Sequence, residues 1–400
     1  MNKRKRVVVT GLGVISQAGN NIKEFHRNII DGKKPYCGTF SPQRIIGSYC
    51  TNYGMLDEES VYKTASERGI DLNSIDAGKC AKLAILSVDE AIKDSGLKIN
   101  DENTDSVSVL IGSAFGENYS YDNFSSPDNT IYRNNDISAS VARYIGASGD
   151  IFTNLNACSA GNISVAYGYE LICSGRADVA VVGAADVYSD IIYGGFTRVK
   201  ILSKERTMPF DENRDGIIIS EGAGCMILED YKNAVKRNAH IYCEILGVGM
   251  SNDAFNLLAP DPDGKGAEKA IIAALKEADC QPEDIDYISL HGTGTQANDI
   301  CESIAIRKVF GESSKNIYAS SLKGLMGHNL GSASLLSSIS CALTIQNGII
   351  HFTANTKDII PECPVNLVIG ESVKTNVDIA MNNAFAFGGS NCIVIYSKCK

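Results

Sequence analysis

The chain of 400 residues reads as a layered α/β protein made of two duplicated halves, each a mostly parallel sheet with helices between and outside. Three observations predict this class. Strand-like and helix-like segments alternate along the chain. The strands are near-continuous apolar runs, as strands covered on both faces are. The pattern of the first half recurs in the second, as when one supersecondary unit is used twice. The division is placed between residues 1–240 and 241–400, and the 37 glycines suit many tight strand-to-helix turns.

In chain order, residues 6–10 are the first strand, leading into Gly11-Leu12-Gly13-Val14-Ile15-Ser16. This is not a dinucleotide fingerprint, because Ser16 stands where the third glycine belongs. Residues 20–75 are expected to be an irregular, polar excursion. Residues 81–95 form a helix with its apolar stripe at Leu83, Ala84, Val88, Ala91 and Ile92. A strand at 107–111, the turn Ala114-Phe115-Gly116 and a polar loop at 118–136 follow. Residues 150–153 are a short strand and 161–173 a helix carrying Ile163, Ala166, Tyr167 and Leu171 at helical spacing. The run 177–183 is a buried strand, and 223–228 closes the first half after a long loop containing Arg214-Asp215-Gly216. In the second half a helix at 268–278, a strand at 287–290 and a helix ending at 347, preceded by His328-Asn329-Leu330-Gly331-Ser332-Ala333, repeat the scheme.

Composition excludes several classes of function. Net charge is −10, which argues against nucleic acid as a partner and leaves an acidic partner only a local basic patch. The 13 cysteines are odd in number and contain no C-x-x-C pair, so a zinc site or disulfide framework is not expected and a reducing compartment is. The basic start, 1–6, runs into a glycine-interrupted strand without a cleavage site, and no run is long enough to span a membrane. A cytoplasmic protein without membrane contact is expected.

Chemistry is concentrated in three loops. Asn156-Ala157-Cys158-Ser159-Ala160-Gly161 joins a strand to a helix, so Cys158 sits in an elbow beside a helix N-terminus. Backbone N–H groups and the dipole there favour a thiolate, and the small neighbours let a carbonyl approach. Taken alone, a cysteine among small residues is a buried hydrophobe more often than a nucleophile. Two of the five histidines change that balance. His291, in Leu290-His291-Gly292-Thr293-Gly294-Thr295, and His328, in Lys323-Gly324-Leu325-Met326-Gly327-His328, occupy glycine-flanked loops, whereas His26, His240 and His351 sit in ordinary positions. One cysteine and one histidine also suit a protease-type pair. Two histidines fit another need, holding a thioester oxygen from two sides as it gains negative charge.

These three stretches, with Phe385-Ala386-Phe387-Gly388-Gly389-Ser390-Asn391, resemble the β-ketoacyl-acyl-carrier-protein synthases of the elongating Cys-His-His type, collinearly over nearly the whole chain. The resemblance implies a thiolase-type fold, usually as a homodimer, with a heterodimer as the variant, and a ping-pong Claisen condensation. Cys158 would take the acyl group from an acyl carrier protein. The backbone N–H groups of Cys158 and Phe387 would form the oxyanion hole. His291 and His328 would bind the malonyl thioester, with Lys323 ordering the site. Thr293 and Thr295 would meet the phosphopantetheine arm. Phe387 would gate the acyl pocket, supported by Phe385, Gly388 and Gly389. No metal or redox cofactor is implied, since the phosphopantetheine arrives on the carrier.

Several positions depart from the family pattern. Ser337 stands where a glutamate usually partners the lysine, so the charge of Lys323 must be met otherwise. Ile217 replaces a phenylalanine, Ser220 a glycine, and Leu258 a threonine near the pantetheine arm. The stretch 71–82 lacks the arginines that normally receive the carrier, leaving Arg198, Lys200, Lys204 and Arg206 as the dock. Phe115 falls where the family lines the acyl pocket, which predicts a shortened pocket and a specialised fatty acid or polyketide enzyme. A thiolase would need a second cysteine in the loop 385–391, and that loop has none before Cys392. The runner-up is a weakly active or non-catalytic chain-length partner subunit; such subunits typically lack the cysteine kept here.

Overall fold

The computed structural model describes residues 4–33, 38–39, 48–122 and 130–400; the start at 1–3 and the middle of the 118–136 loop lie outside these. Eleven strands form one sheet. Those of the first half are β1 (Val7–Ile15), β2 (Val107–Gly112), β3 (Ile151–Asn154), β4 (Val179–Asp186) and β5 (Gly222–Asp230). Those of the second are β6 (Cys243–Asn252), β7 (Tyr287–Ser289), β8 (Tyr318–Ser320), β9 (Asn366–Leu367), β10 (Ile379–Phe385) and β11 (Ser390–Ser397).

The duplication expected from sequence is present strand for strand. The first half has the order β3-β2-β4-β5-β1 and the second β8-β7-β10-β11-β6, with β9 added outside β8. In each half the three outer strands run parallel and the last two are antiparallel. A three-residue antiparallel ladder, Val7↔Ile245 to Val9↔Cys243, joins β1 to β6. The two sheets expected from sequence are therefore one continuous sheet.

Eleven α-helices are described: α1 (Ile22–Asp31), α2 (Glu58–Glu67), α3 (Lys79–Ser95), α4 (Asp136–Ile145), α5 (Ala160–Cys173), α6 (Asp190–Arg198), α7 (Tyr231–Lys236), α8 (Lys265–Ala278), α9 (Gln296–Phe310), α10 (Lys323–Met326) and α11 (Gly331–Asn347). The excursion at 20–75 is not irregular throughout. Asn21 caps α1 by accepting from the backbone N–H of Glu24 at 2.9 Å, and Phe25 and Ile29 bury one face, while α2 buries Val61 and Ala65. The polar loop at 118–136 ends where α4 begins, with Ile137 and Val141 buried at i, i+4.

The central pair α5 and α11 follows the Cys158 and His328 loops. A Cβ added at Gly161 would lie 2.6 Å from the Leu335 backbone nitrogen, so only glycine permits this approach. Val165, Tyr169 and Ile172 of α5 join Leu335, Leu336 and Ile339 of α11 in a core shared by strands of both halves. Helices α3 and α8 cover the opposite faces with cores of their own.

The glycines that interrupt the first strand have a packing cause, repeated in the second half. A Cβ at Gly13 would sit 1.9 Å from the Ser87 carbonyl oxygen of α3, and one at Gly249 would sit 2.0 Å from the Ala270 carbonyl oxygen of α8. Each helix lies directly on the strand backbone. This is why β1 continues through Gly11 and Gly13 to Ile15 rather than ending at Thr10. Gly249→Ala is expected to destabilise the protein by about 3 kcal/mol or more in urea unfolding, because the obstacle is backbone that cannot rotate away. Gly195→Ala is the control: a Cβ at this helical position meets nothing within 4 Å, so a change within ±1 kcal/mol is expected.

Candidate active site

Cys158, His291 and His328 converge on one cavity of about 120 Å³, with Phe196, Ile201, Ile217, Leu258, Pro260, Thr293, Thr295, Phe385 and Phe387 on its walls. Parallel strand ends bring them together: the Cys158 elbow follows β3, the His291 loop follows β7, and the His328 loop follows β8 and α10. Both elbows hold a non-glycine residue at positive φ, Ala157 at 47° and Leu330 at 54°. Such strained backbone persists where the surroundings fix it, and functional loops are where it collects.

Cys158 is buried in the single 3-10 turn Ala157–Ser159, just before α5. Burial pushes its thiol up to about 11. Lys323 opposes this and Asp186 adds to it, while the backbone N–H groups of Phe387 and Cys158 pull the value down. The expectation of a ready-made thiolate is therefore corrected: removal from water outweighs the helix terminus, and the resting group is a thiol.

The histidines are neutral for the same reason. Burial first, then the nearby Lys323 charge, holds His291 and His328 well below the ordinary imidazole value. Their ring centroids are 5.7 Å apart with planes at 82°. The Leu330 backbone N–H donates to Nδ1 of His328 at 3.0 Å, so the proton of the neutral ring sits on Nε2. That Nε2 is buried and has no partner. A buried donor without an acceptor is costly unless a ligand oxygen supplies one.

Lys323 is 3% exposed, and its ammonium donates to the His291 carbonyl oxygen at 2.5 Å. Burial lowers it to about 8, opposed chiefly by Glu302 and then by Cys158 and Asp299. Ser337, buried on α11, supplies no charge, and the acids that draw Lys323 upward are Glu302 and Asp299 on α9. Glu302 accepts from the backbone N–H groups of His291 and Gly292, each at 2.9 Å, and from Asn383 at 3.0 Å. Asp299 accepts from the Phe210 and Gly294 backbone N–H groups at 2.8 and 3.2 Å. Sequence reasoning passed over both acids. Their signal was legible, since carboxylates at i, i+3 early in a helix point back at the loop before it.

The residues of this chain match "Beta-ketoacyl synthase, N-terminal domain" over 4–234 and "Beta-ketoacyl synthase, C-terminal domain" over 242–357. The chain belongs to the β-ketoacyl synthase family. Among similar proteins is a 3-oxoacyl-[acyl-carrier-protein] synthase 2 of Synechocystis sp., 31% identical over 99% of both chains. Another of the same name, from Coxiella burnetii, is 32% identical with the same coverage. Similar solved structures include the ishigamide ketosynthase/chain length factor, with a TM-score of 0.90 and 31% identity over the whole of both chains. A type II PKS acyl-carrier protein in complex with its ketosynthase follows, at 0.88 and 29%, with the same coverage.

In this β-ketoacyl synthase the other sequence-selected residues fall around the same cavity. Thr293 and Thr295 line it with their hydroxyls 2.8 Å apart, and Ile217 and Leu258 line it too. Phe385 stands 5.7 Å from the His291 ring, and Gly388 and Gly389 turn the chain at φ 80° and 75°. Phe115 is not on the wall. It lies one ring behind, 6.0 Å edge-to-face from Phe196, which stacks on Phe387 at 6.0 Å. Phe196 is the aromatic wall residue missed from sequence, as were Ile201 and Pro260 of the same cavity. Asp186 holds the Phe115 turn by accepting from Ser113 Oγ at 2.8 Å and Ala114 N at 2.9 Å. Arg198, Lys200, Lys204 and Arg206 are all exposed, and Ile201, between them in sequence, lines the cavity.

Proposed function

We propose that this chain condenses an acyl group held on Cys158 with a malonyl group delivered on an acyl carrier protein, as a 3-oxoacyl-[acyl-carrier-protein] synthase. One observation carries the reading. A buried, neutral His328 with an unpartnered Nε2–H lines the cavity that holds His291 and Cys158. Two neutral donors beside a nucleophilic sulfur suit an oxygen that becomes negative during reaction, which is when preorganised donors matter most.

The Cys158 sulfur attacks the acyl thioester carbon while the Cys158 and Phe387 backbone N–H groups hold the developing oxyanion; the carrier leaves as a thiol with the cysteine's proton. Malonyl thioester then binds with its carbonyl oxygen between His291 and His328, and loss of CO₂ leaves an enolate there. The enolate carbon attacks acyl-Cys158, the carbon–sulfur bond breaks to release the 3-oxoacyl-carrier protein, and the Cys158 thiolate takes up one proton from water. The phosphopantetheine arm comes with the carrier, past Thr293 and Thr295, so the enzyme supplies no cofactor of its own. Arg198, Lys200, Lys204 and Arg206 receive the acidic carrier beside the mouth. The outer edge strand β3, with Ile151 and Phe152 exposed, supports a homodimer, with a related partner chain as the heterodimeric form. A chain-length partner without catalysis is set aside, because the cysteine and both histidines meet in one cavity.

Incubation with an acylated carrier protein should add the acyl mass to Cys158 alone, and absence of that adduct overturns the reading. The pocket expectation is tested separately. Phe115→Ala removes the ring that backs Phe196, and products should shift to longer chains; an unchanged length distribution leaves Phe115 as packing only.

A further inference from the structure

We propose that Ser220 is a positioning residue that sets the aim of the His328 imidazole. This inference rests on the functional reading above and goes beyond it. Ser220 is fully buried and lies outside the catalytic groups. Its hydroxyl donates to the Met326 carbonyl oxygen at 2.5 Å, at the end of α10. Its backbone N–H donates to the His328 carbonyl oxygen at 2.9 Å, and the His328 N–H donates to the Ile218 carbonyl oxygen at 2.6 Å. Residues 218–220 thus grip the segment 326–328 at three points, around the pivot Gly327 at φ 73°.

The hydroxyl has no freedom to do anything else. A Cβ at Gly54 or at Gly327 would lie 2.2 Å from Ser220 Oγ, so the side chain is enclosed by two glycines from distant parts of the chain. A glycine at 220, the residue usual in the family, would leave the Met326 carbonyl oxygen without this donor. The ring of His328 has one further anchor, the Leu330 N–H on Nδ1. Its direction therefore follows the backbone of 326–330, and the hydroxyl of Ser220 fixes the entry to that backbone. Small misplacements of a positioned donor cost far more in rate than in stability.

The test separates the two half-reactions. In Ser220→Ala the acylation of Cys158, which uses backbone N–H groups on other loops, should stay within about twofold of wild type. Decarboxylation of malonyl-carrier protein should fall about tenfold or more. Ser220→Cys keeps the size with a weaker donor and should fall between the two. With histidines labelled, the ring signal of His328 should move in Ser220→Ala while that of His291 stays. Equal losses in both half-reactions alongside a lower melting temperature, or no loss in either, overturn the proposal. A wild-type chain that performs neither half-reaction overturns the functional reading instead.

Discussion

Cys158→Ser is expected to reduce carbon–carbon bond formation by on the order of 10⁴-fold, while malonyl decarboxylation at the histidines persists. The serine hydroxyl fits the elbow, so the fold should be unharmed. What is lost is the nucleophile: a hydroxyl ionises far less readily than a thiol. The thiol itself is not fully prepared either. With its value pushed up to about 11, it is protonated at neutral pH, and each unit of added pH raises the thiolate population about tenfold. Alkylation of Cys158 by iodoacetamide should therefore climb about tenfold per unit between pH 6 and 9. A rate already level above pH 7 would mean that the helix terminus defeats burial and that the thiolate is preformed. Condensation in Cys158→Ser close to the wild-type rate would remove the sulfur from the mechanism altogether.

Lys323 links this thiol to the rest of the site. It is the main group drawing Cys158 downward and one of those holding the histidines neutral. One buried cation thus favours the thiolate and disfavours imidazolium in the same cavity. Its value of about 8 leaves it charged at neutral pH, which requires the acids on α9 nearby. Glu302 orders the His291 loop by accepting its N–H groups and draws Lys323 upward, while burial pushes its own carboxyl up to about 7, so it is only partly ionised at neutral pH.

How much of this was legible in sequence depends on the range of the interaction. The Cys158 elbow and the His291 loop are local patterns of small residues between a strand and a helix and could be read directly; His328 could be read too, although Lys323–Met326 before it is the short helix α10 rather than loop. The extension of β1 through Gly11 and Gly13 could not, because the reason for the glycines is α3, more than seventy residues away. The protonation of Cys158 could not either. The helix terminus is local, but the desolvation that outweighs it comes from walls contributed by both halves. Phe115 was expected on the pocket wall from its turn, but which ring forms the wall depends on α6, whose Phe196 stands in front. Ser220 was visible only as a departure; its function appeared once Gly54, Met326 and Gly327 were found around it.

His328→Ala is expected to slow malonyl decarboxylation by about 10² to 10³, the cost of losing one preorganised donor to a developing oxyanion. Acylation of Cys158 should change little, because its oxyanion is held by backbone N–H groups. His328→Asn restores an N–H donor at a similar reach and should recover part of the rate. The pH dependence supplies an independent check. Because burial and Lys323 hold His328 well below the ordinary imidazole value, the neutral form dominates at that ordinary value and above it. Decarboxylation should then be level between pH 6 and 7.5, with no acid limb at the ordinary value of about 6.5. An acid limb there, vanishing in His328→Asn, would show that His328 gains and loses its proton during turnover. It would then be acting as an acid or base rather than as a fixed donor, and the orphaned Nε2–H would have to be reassigned from holding the thioester oxygen to moving a proton.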